Sequence, residues 1–241
     1  MSQKTLTIRV RDGKSIYCII DTVQRSRGIV VFVHGLNGHP FEHQFYNAVP
    51  YFNRLGYNTC RIWLYGAGKA GRTLIDCTVD IHSKDIEDVL RALKRKHKKI
   101  FLVGHSLGGP SVLRAKLQGV SAVVLWEPSH EIYSRLRKEL KLVKPGLYTL
   151  KEDNSYMLGK NMINDWLHRP MTDTLVKDLH VPLKLIYAGG SPLSKKAKKT
   201  YNLANRPKAL AIIHGADHIF SKPGNADRLF KETYEWIKKF S

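Results

Sequence analysis

Short apolar runs alternate with longer amphipathic segments along most of the chain. Two runs, 5–11 and 15–22, flank Asp12-Gly13 and predict an opening β-hairpin. The later runs are rich in Val, Ile and Leu, a composition typical of strands buried on both faces. They cover residues 28–34, 57–64, 99–103, 121–126, 183–188 and 209–214. The alternation predicts an α/β fold with a mostly parallel, eight-stranded sheet flanked by helices.

The segments between these strands carry the 3.6-residue period of amphipathic helices. One helix is predicted from about Ser83, and its apolar face is formed by Ile86, Val89, Leu90 and Leu93. A C-terminal helix has a second such face, formed by Ala226, Leu229, Phe230, Thr233 and Ile237.

The connection over residues 127–182 is far longer than an ordinary crossover between strands. It contains two helical patterns. The first is made by Ile132, Leu136, Leu140 and Val143, and the second by Met162, Ile163, Trp166 and Leu167. We therefore expect a single domain over residues 1–241, with a short helical lid inserted at 129–181 after the sixth strand.

Composition and cysteine usage exclude several classes of protein. The 241 residues are 43% hydrophobic and 25% charged, which is ordinary for a globular chain and excludes wholesale disorder. No apolar run approaches the ~18 residues of a membrane span, and the first residues lack the apolar stretch of a secretory signal. Cys18, Cys60 and Cys77 have neither disulfide-framework nor metal-site spacing. We expect a cytoplasmic protein with reduced thiols.

The charge balance raises a further hypothesis. Forty Lys and Arg residues against twenty Asp and Glu residues give a net charge of +20, which invites a nucleic-acid or membrane-surface interpretation. The basic runs lie at 94–99, 195–199 and 238–239. No helix-turn-helix, zinc-finger or aromatic RNA-binding signature accompanies them. We interpret them as solvated faces and predict no specific nucleic-acid partner.

The candidate chemistry begins with the pentapeptide Gly104-His105-Ser106-Leu107-Gly108. It directly follows the predicted strand 99–103 and opens a helical pattern over 107–118. A Gly-x-Ser-x-Gly sequence in that context predicts a sharp, strained strand-to-helix turn, in which the glycines leave room for crowded backbones. The turn would expose the Ser106 hydroxyl at the amino end of the next helix, which favours developing negative charge.

Two more loops follow predicted strands. His34-Gly35-Leu36-Asn37-Gly38-His39-Pro40 can place a backbone amide beside the serine, so the amides of Leu36 and Leu107 would form an oxyanion hole. Gly215-Ala216-Asp217-His218-Ile219-Phe220 follows the last strand, and His218 comes after Ser106 in the chain order of one known triad arrangement.

With these three loops the sequence resembles the α/β-hydrolase superfamily over nearly its whole length. The stretch from Arg61 to Gly68 is similar to the R-x-x-L-x-G-x-G motif common after the fourth strand of that superfamily. The resemblance implies Ser106 as nucleophile, His218 as general base, and Leu36 and Leu107 as oxyanion-hole donors. It does not identify the substrate.

The triad acid departs from the superfamily pattern. An Asp usually follows the seventh strand, but here residues 188–193 contain no carboxylate. Glu127 follows the sixth strand, from which some members of the superfamily take their acid, and it is the favoured candidate. Asp217 adjoins His218, but adjacent loop side chains rarely turn towards each other. Ser191, a water molecule or no acid at all are further alternatives.

These features predict a serine hydrolase, carboxylesterase-like, that cleaves carboxylic esters or thioesters through an acyl-enzyme on Ser106. Its partner would be a small-molecule substrate, with no metal and no organic cofactor. One alternative is a non-catalytic binding protein of the same fold that uses its basic faces for anionic partners. Another is a lipase-like or C–C hydrolase, because one triad supports several chemistries.

Overall fold

A computed structural model describes residues 2–130, 138–151 and 153–241. Each of the eight predicted apolar runs is a strand of one sheet. Their bounds are β1 Ser2–Arg9, β2 Ser15–Thr22, β3 Ile29–Val33, β4 Asn58–Trp63, β5 Ile100–His105, β6 Ala122–Trp126, β10 Leu183–Ala188 and β11 Lys208–Ile213. In the sheet they lie in the order β1-β2-β4-β3-β5-β6-β10-β11.

The sheet is mixed. From β4 to β11 neighbouring strands are parallel, whereas β2 is antiparallel to both β1 and β4. Connection length explains the β1–β2 pair, because a short turn can join only antiparallel strands and parallel ones need a crossover. The turn after β1 contains Gly13 at φ 81°, a left-handed conformation that favours glycine.

Helices cover both faces of the sheet. Their bounds are α1 His43–Arg54, α2 Val79–Lys94, α3 Gly108–Arg114, α4 Lys160–His168, α5 Thr172–Leu175, α6 Ala197–Leu203 and α7 Asn225–Ile237. The helix predicted from about Ser83 begins earlier, because the Thr78 side chain accepts a hydrogen bond from the Ile81 amide and caps α2. The helix predicted over 107–118 ends early, at Arg114, since Ala115 is already extended.

Alternate side chains of the strands enter two different cores. Val31 and Val33 pack into the cluster beneath α2, α3 and the inserted segment. Val30 and Phe32, between and beside them, pack into an aromatic cluster with α1 and α7. Burial on both faces explains why the central strands are apolar at nearly every position.

The inserted segment between β6 and β10 is only partly helical. It contains a three-stranded sheet of β7 Leu140–Lys144, β8 Leu147–Leu150 and β9 Leu158–Gly159, followed by α4 and α5. The prediction of a helix through Leu140 and Val143 is therefore wrong, because Pro145-Gly146, with Gly146 at φ 80°, turns the chain into a hairpin.

The inserted segment contains one of the two predicted helices. The second predicted helix is confirmed as α4, with Met162, Ile163 and Trp166 buried and Leu167 partly buried. Ile132 and Leu136 lie outside the described residues. The division into one domain with a lid at 129–181 stays a prediction.

Cys18, Cys60 and Cys77 are buried free thiols. Among residues 2–130, 138–151 and 153–241, no helix is both long and apolar enough to cross a membrane. The same residues contain no group of three or more His, Cys, Asp and Glu side chains arranged to hold a metal ion.

Candidate active site

Ser106 occupies a strained turn between β5 and α3. Its φ is 53°, in the left-handed region that residues with a Cβ rarely adopt. The turn is possible because glycines surround it: a Cβ on Gly104 would lie 2.7 Å from the Gly108 carbonyl oxygen, and one on Gly108 would lie 2.5 Å from the Val33 oxygen. The Gly-x-Ser-x-Gly spacing thus has a steric cause in this fold.

His218 lies in the loop after β11, within hydrogen-bond distance of the serine. Its Nε2 is 3.1 Å from Ser106 Oγ. The neighbouring His105 donates from Nε2 to the His218 carbonyl oxygen at 2.9 Å, and the two rings lie 5.0 Å apart. Burial lowers the pKa of His105 to about 3, so this ring is neutral and positions the loop without adding charge.

Glu127 lies at the end of β6 and contacts the other nitrogen of His218. Its Oε2 is 3.1 Å from His218 Nδ1, and the side chain is fully buried. The second oxygen, Oε1, accepts a hydrogen bond from the Ala188 amide at 2.7 Å. The end of β10, where the superfamily pattern has its acid, therefore supplies a backbone donor that holds Glu127 in place.

The other candidate acids face elsewhere. Both Asp217 oxygens accept hydrogen bonds from Ser221, one from its amide at 2.7 Å and one from its hydroxyl. Burial would raise the pKa of Asp217, but these hydrogen bonds hold it below its usual range. Ser191 accepts from the Leu193 amide and caps a short 3-10 turn. Of the three residues, only Glu127 reaches the His218 ring in the described structure.

The loop after β3 lies against the nucleophile. A Cβ on Gly35 would lie 2.8 Å from Ser106 Cβ, so only glycine fits there. The Gly35 carbonyl accepts hydrogen bonds from Tyr65 Oη at 2.9 Å and from His34 Nδ1 at 2.9 Å. Because Gly35 C=O and Leu36 N–H belong to one trans peptide and point in opposite directions, fixing the carbonyl also fixes the Leu36 amide.

The two backbone amides predicted to form the oxyanion hole are not used in hydrogen bonds among the described residues. Within the part of the chain that the structure describes, neither the Leu36 nor the Leu107 N–H has a hydrogen-bond acceptor. Leu107 directly precedes α3 and follows Ser106, so its amide belongs to the positive end of that helix. Both groups are thus available to a negatively charged oxygen.

Glu42 is an ionisable group near this loop that sequence reasoning missed. It precedes α1, and its Oε2 is buried without a hydrogen-bond partner among the described residues. Burial raises the pKa of Glu42 to about 7. A partly buried carboxyl that titrates near neutral pH therefore adjoins the oxyanion loop.

A groove of about 710 Å³ begins beside this loop and extends under the inserted segment. Asn37, one residue beyond Leu36, forms part of its wall and donates from Nδ2 to Ser155 Oγ at 3.3 Å. Both polar and apolar side chains line the groove. Its apolar and aromatic wall includes Tyr65, Leu74, Ile75, Tyr156 and Met157.

The family of the chain follows from a comparison with known protein families. The family model described as serine aminopeptidase, S33, matches residues 24–234. The chain belongs to this family of α/β-hydrolases. The matched range of this α/β-hydrolase contains Ser106, Glu127 and His218. A search of the curated proteins found no significant match to its sequence.

Solved structures of other hydrolases share the whole fold. Est1E from Butyrivibrio proteoclasticus, solved with ferulic acid bound, is 19% identical to this α/β-hydrolase, covers 98% of each chain and has a TM-score of 0.83. The esterase domain of a Rhodothermus marinus protein is 18% identical over 100% of this chain and 99% of that one, with a TM-score of 0.77. Dienelactone hydrolase from Anabaena variabilis is 17% identical, with 99% and 98% coverage and a TM-score of 0.72. At these identities the likeness shows the fold.

Tyr65 is a second residue that sequence reasoning missed. It follows β4, and besides donating to Gly35 it accepts a hydrogen bond from the Gly38 amide at 3.1 Å. Its place just after a parallel strand, at the edge where ligands bind in α/β sheets, was the signal that could have identified it.

Proposed function

We propose that this α/β-hydrolase is a serine hydrolase that cleaves carboxylic esters or thioesters through an acyl-enzyme on Ser106. The observation that carries the proposal is the continuous hydrogen-bonded series of Ser106, His218 and Glu127. A hydroxyl, an imidazole and a buried carboxylate in this order are the parts that activate a serine for acyl transfer. The alternative of a non-catalytic binding protein does not require these three groups to be hydrogen-bonded in this order.

In the acylation step, Ser106 Oγ attacks the substrate carbonyl carbon while its proton passes to His218 Nε2. Glu127 stabilises the imidazolium that results and keeps Nδ1 as a donor. The carbonyl oxygen becomes an oxyanion, which the Leu36 and Leu107 amides stabilise. When the tetrahedral intermediate collapses, the bond to the leaving alcohol or thiol breaks, and His218 gives that group its proton.

Deacylation repeats these steps with water as the nucleophile. His218 removes a proton from the water, the hydroxide attacks the acyl carbon, and the ester bond to Ser106 breaks as Oγ regains a proton. The products are a carboxylic acid and the free enzyme.

The groove supports an ester or thioester in preference to a peptide with a free amino terminus. Lys69 and Arg72 contribute to its lining, and no carboxylate does so among the described residues. A free α-ammonium group would need an acidic partner in such a place. The apolar wall formed by Leu74, Ile75 and Met157 suits a small or medium acyl chain.

The test is turnover of p-nitrophenyl acetate together with labelling by a fluorophosphonate probe. Ser106→Ala should lose at least about 1,000-fold in kcat, and peptide mass analysis should find the phosphonate on Ser106 of the unaltered chain. Ser191→Ala, which removes a hydroxyl from a capping position, is the matched control and should keep its turnover and labelling. Full turnover by Ser106→Ala, or a label on another residue, would refute the proposal.

A further inference from the structure

Strand β7 of the inserted segment presents two large apolar side chains to solvent. Leu142 is 59% exposed and Val143 is 46% exposed. Adjacent residues of a regular strand point to opposite faces, so one of two neighbours is normally covered. Here both are uncovered, and neither belongs to the groove or to the site around Ser106.

A β-bulge explains why both are exposed. In the β7–β8 hairpin Leu142 pairs with Tyr148 and Lys144 pairs with Leu147, which leaves Val143 as the extra residue between them. A bulge of this kind bends the strand and changes the direction of its side chains. Two consecutive apolar residues thereby face outward together.

Five exposed lysines lie on or beside the hairpin that carries this pair. Lys141 and Lys144 flank it on β7 and are exposed, as are Lys138 before the strand and Lys151 after the hairpin. The amide of the exposed Lys160 donates to the carbonyl of Gly146 in the hairpin turn at 2.9 Å, which places a fifth lysine there. Among the residues that the structure describes, the neighbouring carboxylates are Glu139, which is half-buried, and Asp153, which accepts hydrogen bonds from Ser155.

The three-stranded sheet connects the exposed pair to the segment that lines the groove. Leu142 pairs with Tyr148, and Tyr148 pairs with Leu158 on β9, so the three residues form one row across about 10 Å of sheet. Met157, which precedes Leu158, is an exposed residue of the groove, as is Ile75. The same small sheet thus carries the exposed pair and adjoins the segment that lines the groove.

We propose that β7 docks this protein onto an anionic lipid bilayer, with Leu142 and Val143 entering the interface and the lysines contacting lipid headgroups. Apolar side chains flanked by cations are the combination that binds such interfaces. Strand pairing with a second copy or another protein is disfavoured, because bulges and lysines on an edge strand oppose it. The docking does not depend on the proposed function. A supply of acyl-ester substrates from the bilayer rests on that function.

The test is co-flotation with vesicles of phosphatidylcholine alone or with 30% phosphatidylglycerol, using the full chain carrying Ser106→Ala. We expect partition to the anionic vesicles that weakens with salt. Adding Leu142→Ser and Val143→Ser should lower the partition coefficient at least about 10-fold. Adding Lys141→Gln and Lys144→Gln should lower it at least about fivefold and reduce its salt dependence.

Matched controls distinguish this surface from charge in general. Lys96→Gln with Lys98→Gln removes two exposed lysines between α2 and β5, and Ile212→Ser removes an exposed apolar residue of β11. Each should change partition less than about twofold. Equal losses in these controls, absence of binding to anionic vesicles, or a Leu142-dependent dimer in light scattering would overturn the proposal.

The hairpin variants with Ser106 intact separate docking from catalysis. They should hydrolyse soluble p-nitrophenyl acetate at the unaltered rate and lose turnover of an ester embedded in the same vesicles. Vesicle binding by a chain with no esterase activity would refute the proposed function and leave the docking in place. Circular dichroism and thermal melts check that each variant is folded.

Discussion

At the scale of single residues, the triad acid is the point at which pattern and geometry differ most. The fragment at 188–193 lacks a carboxylate, and Glu127 from the preceding sheet strand contacts His218 instead. The Ala188 amide binds the second oxygen of Glu127. A carboxylate on the strand next to β10 thus reaches His218, and the end of β10 supplies a hydrogen bond to it.

Glu127→Gln should lose at least about 100-fold in kcat, because the amide cannot stabilise a charged imidazolium as a carboxylate does. Asp217→Asn should lose far less, since that side chain binds Ser221 and not the imidazole. Steady-state kinetics on a soluble ester measure both. Equal, small losses in the two variants would contradict the assignment of Glu127.

A second residue-scale prediction concerns Glu42, whose pKa burial raises to about 7 from an ordinary value of 4.5. Between pH 4.5 and pH 7 the Glu42 carboxyl is protonated in the folded state and ionised in the unfolded state. The contribution of Glu42 to the free energy of unfolding therefore falls as the pH rises from 4.5 to 7. Glu42→Gln removes this loss. At pH 8.5 it should be more stable than the unaltered chain by about 1–2 kcal/mol, allowing for partial exposure.

Denaturant unfolding at pH 5 and pH 8.5 measures this effect. The exposed Asp178→Asn is the control and should show no gain at the higher pH. If Glu42→Gln gave the same stability difference at both pH values, the carboxyl would not titrate as proposed.

At the scale of elements, the oxyanion loop owes its shape to a strand that is remote in sequence. Tyr65, after β4, bonds both the Gly35 carbonyl and the Gly38 amide. Burial raises the pKa of Tyr65, so its hydroxyl remains protonated and keeps donating. The loop is therefore held by two hydrogen bonds to one side chain.

Tyr65→Phe should lower kcat about 10-fold, because the Leu36 amide is then less firmly directed at the oxyanion. The melting temperature and circular dichroism report whether the fold survives. Tyr46→Phe, at an exposed position of α1, is the matched control. Turnover of Tyr65→Phe equal to that of the control would show that the loop does not depend on this tyrosine.

At the scale of the whole molecule, three buried histidines make stability sensitive to acid. Burial lowers the pKa of His34 to about 4 and the pKa values of His82 and His105 to about 3. In the unfolded chain they titrate near 6.5, so below that pH the unfolded state binds protons that the folded state does not. Stability is therefore lost as pH falls from 6.5 towards 4.

Between pH 6 and pH 5 these three histidines should reduce the free energy of unfolding by about 3–4 kcal/mol, and Glu42 should offset about 1 kcal/mol or less of this. Guanidinium unfolding at the two pH values checks the slope. Glu42→Gln should make the acid loss steeper. A free energy of unfolding that is constant over this range would contradict the neutral state of these rings.

The basic runs lie at the ends of helices. Run 94–99 begins at the last residue of α2, and Lys238 and Lys239 follow α7, where cations interact favourably with the helix dipole; run 195–199 instead leads into α6. Many of the few carboxylates already form ion pairs, including Asp21 with Arg61 and Asp85 with Arg72. The surplus charge therefore lies mainly in exposed lysines. It is a property of the surface, and the geometry around Ser106 does not depend on it.

The sequence alone determined the features that depend on neighbours along the chain. Strand-sized apolar runs follow from burial on both faces of a sheet, and the Gly-x-Ser-x-Gly turn follows from steric crowding around Ser106. The order of Ser106 before His218 and the helix at Met162 to Trp166 could likewise be read from the sequence. The α/β-hydrolase fold was predicted from these and is confirmed.

Only the tertiary structure decided the features that depend on contacts distant in sequence. The spacing of Leu136, Leu140 and Val143 fits a helix, but pairing with β8 makes β7 a strand. The choice among Glu127, Asp217 and Ser191 depended on which side chain reaches His218, and the Leu36 amide is directed by Tyr65. Periodicity records which residues are buried; it does not record which distant residues meet.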